Sequence, residues 1–116
     1  MQKMDQTMTK LDLKKLTQGE VAVLLGFEYG KRARGHFNLD LLDEEPEPVE
    51  LVLPEDLDTI APSFVQGFFG KSALRFGNKE RFYAHYLFQG WPEDMLLQID
   101  TGLSRALMDR SSAVSH

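Results

Sequence analysis

The sequence predicts an α/β fold: a mixed four-stranded sheet in the order β-β-α-β-α-β-α, with helices packed on it. Three observations predict this. Two stretches near the start, "KLDLKKL" and "EVAVLL", carry strand patterns and are separated by Gln18-Gly19. Two later segments, opening at Pro62 and Pro92, carry apolar residues at helical spacing. Each of those follows a run of strand composition, "VELVL" or "RFYAHYLF". Strands separated by helices imply right-handed crossovers and parallel neighbours, while the initial pair forms an antiparallel hairpin.

Taken in order, residues 1–9 are polar and form a loose N-terminus. In "KLDLKKL", Leu11 and Leu13 alternate with Asp12 and Lys14, as in a half-buried strand. "EVAVLL" (20–25) is rich in β-branched and apolar residues and ends at Gly26. From Glu28 to Phe37, the residues Tyr29, Ala33, His36 and Phe37 share one helix face, with Lys31, Arg32 and Arg34 pointing elsewhere. The stretch "DLLDEEPEPVE" (40–50) holds six carboxylates and two prolines, so it reads as a solvated loop. "VELVL" (49–53) has the apolar character of a central strand.

A loop to Ala61 then leads to a helix from Pro62 to Phe76, because proline suits the first helical position. Val65, Phe68, Phe69, Ser72, Ala73 and Phe76 keep its spacing, and Gly77-Asn78 stops it. Gly67 and Gly70 each weaken that helix by about 1 kcal/mol relative to alanine. Buried phenylalanines offset this at about 1.5–3 kcal/mol apiece. "RFYAHYLF" (81–88) reads as the last strand, and the final helix carries Leu96, Ile99, Leu103, Ala106 and Leu107 as its stripe. The domain spans residues 10–108, and 109–116 form a loose tail.

At 116 residues the chain suits one domain with its own core. It has no cysteine, which excludes disulfides and thiol chemistry and fits a cytoplasmic setting. The start lacks the apolar stretch of a signal peptide, and no run reaches the roughly twenty apolar residues of a membrane span. The net charge of −5 disfavours nucleic acid.

"GKS" at Gly70–Ser72 resembles a phosphate loop, but Val65 stands where that motif needs glycine. His36, His85 and His116 lack metal-ligand spacing, so no metal or other cofactor is expected. No nucleophile–base pair can be named, and the expectation is a non-enzyme. "GKRARGH" (30–36) is the one basic cluster. It suits an acidic partner less well than a charged outer helix face. Trp91 beside Pro92 fits a core staple better than an interface anchor.

"VELVLPEDLDTIAPSFVQGFFGK" followed by "RFYAHYLFQGWPEDMLLQIDTGLSRAL" resembles the STAS-like family, a bacterial group of domains of unknown function related to the STAS domain of anti-sigma-factor antagonists. The matching residues are Val49–Leu53, Asp56-Leu-Asp58, Ile60-Ala-Pro-Ser-Phe64 and Phe82–Phe88 with the helix from Pro92; "GFEYGKRAR" is similar to the family's glycine-then-Ala-Arg helix start. In the antagonists the equivalent turn carries Asp-Ser-Ser-Gly and is phosphorylated on its second serine. Ser63 falls at that serine, with Ala61, Pro62 and Phe64 in place of the aspartate, first serine and glycine.

The resemblance implies a regulatory protein–protein interaction module whose partner is an ATP-binding protein of the histidine-kinase type. The expected contact is Asp56, Asp58, Thr59 and Ser63, extended by Lys31, Arg32 and Arg34, with Ser63 as the candidate phosphorylation site. A phosphate at the helix start adds about −1.5 to −2 charges, which the helix dipole tolerates but a docked partner does not. The alternatives are a small-molecule sensor or small enzyme with a pocket at the sheet's carboxyl edge, and a homodimer through a strand edge or the last helix.

Overall fold

The fold is arranged around one helix, α4 (Pro62–Phe76), which has neighbours on two sides. The computed structural model describes residues 9–18 and 22–114, the last six as backbone only. Pro62 occupies the first turn as expected, and Gly77 closes the helix in the left-handed region at φ 90°. Phe64, Val65, Phe68, Phe69, Ser72 and Ala73 are all buried. Their rings continue into those of later elements. Phe68 meets Phe69 at 4.7 Å, Phe69 meets Phe82 at 5.1 Å and Tyr86 at 5.3 Å, and Phe88 meets Trp91 at 5.3 Å. Trp91 is a core residue, and its indole N–H donates to the Leu51 carbonyl at 2.9 Å.

On one side of α4 lies α2 (Phe27–Phe37), on the other α6 (Glu93–Val114). The α2 crossing is so close that the backbones touch. A Cβ on Gly30 would stand 2.3 Å from the Phe64 carbonyl oxygen, and one on Gly67 would stand 2.1 Å from that of Phe27. Only glycine fits either position, which accounts for the helix-weakening Gly67. Gly102 does the same for α6, where a Cβ would come within 2.5 Å of Val65.

Among the described residues the strands form two small parallel sheets, not one four-stranded sheet with an antiparallel hairpin. β1 (Thr9–Asp12), β3 (Val49–Val52) and β5 (Tyr86–Leu87) make the first, in the order β1-β3-β5, with Leu11 beside Leu51 and Val49 beside Tyr86. β2 (Ala22–Leu24) and β4 (Leu57–Ile60) make the second, with Leu24 beside Ile60. The hairpin fails because the first strand ends early. The Asp12 carboxylate accepts the Lys14 N–H at 2.9 Å, a local turn that competes with the strand ladder. The short helix α1 (Lys14–Thr17) follows, ending at Gln18 with φ 51°. Leu13 is buried as expected, but from this turn and not from a strand. Of the residues expected to form the hairpin turn, Gly19 lies outside the described residues.

Three further expectations are corrected. The supposed loop before Ala61 contains β4. Its Leu57 and Ile60 both face inward because an irregularity opposite Ala22 and Val23 leaves Asp58 unmatched in the ladder, breaking the alternation a regular strand would show. The acidic stretch contains the helix α3 (Leu39–Asp43), and its Asp43 is buried. Most of "RFYAHYLF" is the helix α5 (Lys79–His85), begun by the Asn78 side chain accepting the Arg81 N–H at 2.8 Å. Phe82 and Tyr86, four apart, both point into the core.

Of the expected loose ends, residues 1–8 and 115–116 lie outside the described residues, while Thr9 opens β1 and the backbone of α6 runs to Val114. Among the described residues no helix is long and apolar enough to cross a membrane.

Candidate functional site

The residues of the expected contact fall into two places. Asp56, Asp58, Thr59 and Ser63 lie along β4 and the start of α4. The Asp56 carbonyl receives the Ala22 N–H at 2.9 Å and the Ala61 N–H reaches the Leu24 carbonyl at 2.9 Å, so this stretch is stitched to β2 from end to end. Thr59 pairs with Val23, which puts both on the sheet face opposite the buried Leu24 and Ile60. Asp58 is exposed, and Thr59 and Ser63 are half-buried.

Ser63 does not cap its own helix. Its hydroxyl accepts the backbone N–H of Gly26 at 3.1 Å, the residue just before α2. It therefore joins the starts of α2 and α4 where the two parallel strands deliver them. The segment around Gly26 exposes three apolar side chains that the sequence reading overlooked. Val23 is 45% exposed, Leu25 56% and Phe27 47%. Val23 and Leu25 alternate with the buried Leu24, and that alternation in "EVAVLL" was the available signal; without the sheet it does not say which set faces the core.

The basic residues divide. Lys31 and Arg32 are exposed on α2: Lys31 sits 4.0 Å from Glu28 and over the Phe27 ring, and Arg32 lies over the Tyr29 ring. Arg34 is buried instead, and is not available to extend an exterior contact.

Arg34 is the centre of an internal polar network. One guanidinium nitrogen donates to the Phe68 carbonyl at 3.0 Å and the Ser72 hydroxyl at 2.8 Å; the other donates to Asp40 at 2.8 Å and Asp43 at 2.9 Å. Ser72 in turn donates to Asp43 at 2.7 Å, and the Tyr86 hydroxyl donates to the same carboxylate oxygen. Buried charges survive only when paired and hydrogen-bonded in this way. Burial, then the bond to Asp43, pushes the Tyr86 phenol far above its usual range. The hydrogen bond and charge of Arg34 hold the Asp40 carboxyl below the usual carboxylate range.

Tyr86 thus stays protonated as a donor, and the network has no free nucleophile or base. It fastens α2, α3, α4 and β5 together. The sequence reading placed Ser72 on the core face but gave neither Asp43 nor Tyr86 a role, since their partners are remote in the chain.

His36 is exposed, whereas the His85 ring sits 2.7 Å from the Leu42 carbonyl at the end of α5. Among the described residues no group of three or more histidine, aspartate or glutamate side chains is placed to hold a metal ion. Compared with known proteins, the chain matches no family model, no curated protein and no solved structure.

Proposed function

We propose that the chain is a non-enzymatic, STAS-like regulatory module that binds a protein partner through the outer face of the β2–β4 pair and the adjoining start of α4. The observation that carries this reading is the exposure of Val23, which pairs with Thr59, and of Leu25 and Phe27 on either side of Gly26, whose N–H Ser63 holds. Exposed apolar side chains gathered at one place and rimmed by polar ones mark docking surfaces. Ser63 stands at the edge of this patch, and a phosphate there would bring charge onto an otherwise apolar contact.

The partner proposed is an ATP-binding protein of the histidine-kinase type, which follows from the resemblance in "DTIAPSFVQGFFG". The test is reconstitution with such a kinase encoded beside this chain. Stable co-elution, lost in Leu25→Glu and weakened by Ser63→Asp, together with phosphate on Ser63 by mass spectrometry, is expected. Co-elution unchanged by both substitutions would move the contact elsewhere, and no complex at all would remove the reading.

A further inference from the structure

A cleft of about 660 Å³ opens between α1 and α2. Its floor is apolar, made by Leu16, Tyr29 and the buried Ala33. Its rim is basic: Lys14, Lys15, Arg32 and His36 are all exposed. Among the described residues none of these four forms an ion pair. Among the described residues, the one carboxylate on the rim is Asp12, which accepts the Lys14 backbone N–H. Arg32 is already steadied over the Tyr29 ring, its guanidinium 5.8 Å from the ring centroid. Among the described lining residues, three formal positive charges and the one negative charge of Asp12 thus surround an apolar trough, a local excess of positive charge in a chain whose net charge is −5.

We infer that this cleft is a docking groove for an acidic peptide segment of a protein partner, one carrying glutamates or aspartates around an aliphatic side chain. The basic rim supplies the complementary charge, and the trough takes the aliphatic group. A peptide fits better than nucleic acid for two reasons. The chain as a whole carries a net charge of −5, which repels a long polyanion. The floor offers an aliphatic trough with one tyrosine ring, whereas single strands are held by successive stacking aromatics. The inference is independent of the β2–β4 face, and either can fail alone.

The test is a titration of the isotope-labelled full chain with a short peptide of alternating glutamate and leucine, followed by amide chemical shifts at low salt. Shifts concentrated on α1 and on Tyr29, Arg32, Ala33 and His36 are expected. The variant Lys15→Glu with Arg32→Glu should bind this peptide about tenfold more weakly and gain affinity for its lysine–leucine counterpart. Both substituted side chains are exposed, so an unchanged spectrum elsewhere verifies the fold. Absent shifts, shifts scattered over the surface, or no charge-swap recovery would overturn the inference. So would an oligothymidylate that displaces the peptide at equal concentration.

Discussion

The Arg34 guanidinium lies 2.9 Å from the Asp43 carboxylate, and both side chains are shut away from solvent. Such a pair is costly to bury and costlier to break. Arg34→Ala should therefore destabilise the fold by about 3–5 kcal/mol, since it leaves the buried Asp43 carboxyl without its cationic partner. Arg34→Lys should also lose substantially, because one ammonium cannot serve the Phe68 carbonyl, Ser72, Asp40 and Asp43 from two nitrogens. Combining Arg34→Met with Asp43→Leu should recover part of the loss. Urea denaturation of the single and double variants checks this, and strictly additive losses would contradict it.

Two glycines of α4 should respond in opposite directions. Gly67→Ala drives a methyl into the Phe27 carbonyl and should unseat α2 or unfold the chain. At Gly70 the new methyl would meet the Ala106 Cβ at 3.6 Å, an ordinary contact. Gly70→Ala should then stabilise the protein by up to about 1 kcal/mol through helix propensity. Melting temperatures of the two variants decide the matter.

Tyr86 makes the fold sensitive to alkali. Its phenol is raised in the folded state, so above the unfolded pKa of about 10 the native form holds a proton that the unfolded chain releases. Stability is fully present below that pH and should decline above it, at up to about 1.4 kcal/mol per pH unit for this one group. Tyr86→Phe should lessen the decline, leaving the part due to the Tyr83 phenol, which burial and Asp100 also raise. It should also lower stability at neutral pH by about 1–3 kcal/mol, as Asp43 loses a donor. Denaturation midpoints across neutral and alkaline pH provide the measurement.

Ser63→Ala should cost about 1 kcal/mol by stranding the Gly26 N–H. Its signature is local: hydrogen exchange at the Gly26 amide should quicken more than at the amides of mid-α4. Leu25→Glu, by contrast, should stay within about 0.5 kcal/mol of the parent, because the side chain is exposed.

The α/β class and the helices from Pro62 and from the Pro92 region were legible because proline starts, glycine stops and apolar spacing agree there. Sheet division was not, since it depends on where β1 stops, and a single Asp12 turn decides that. The aromatic run from Phe82 misled because phenylalanine and tyrosine favour strands on average; packing against Phe69 imposed the helix instead. Asp43 looked like one more solvated acid, and its burial follows from Arg34 nine positions earlier and Tyr86 forty-three later. Of the candidate site, Thr59 and Ser63 were named from the resemblance, whereas the outward face of Val23 needed the pairing of β2 with β4 to show it.

That pairing carries one more implication. β1, β2, β4 and β5, the outer strands of the two described sheets, are only two to four residues long. Borders this brief offer few main-chain groups for a foreign chain to zip onto, which guards against fibril growth without any need for protective charge. For the same reason a visiting protein has little backbone ladder to extend, and discrimination between visitors rests on side chains.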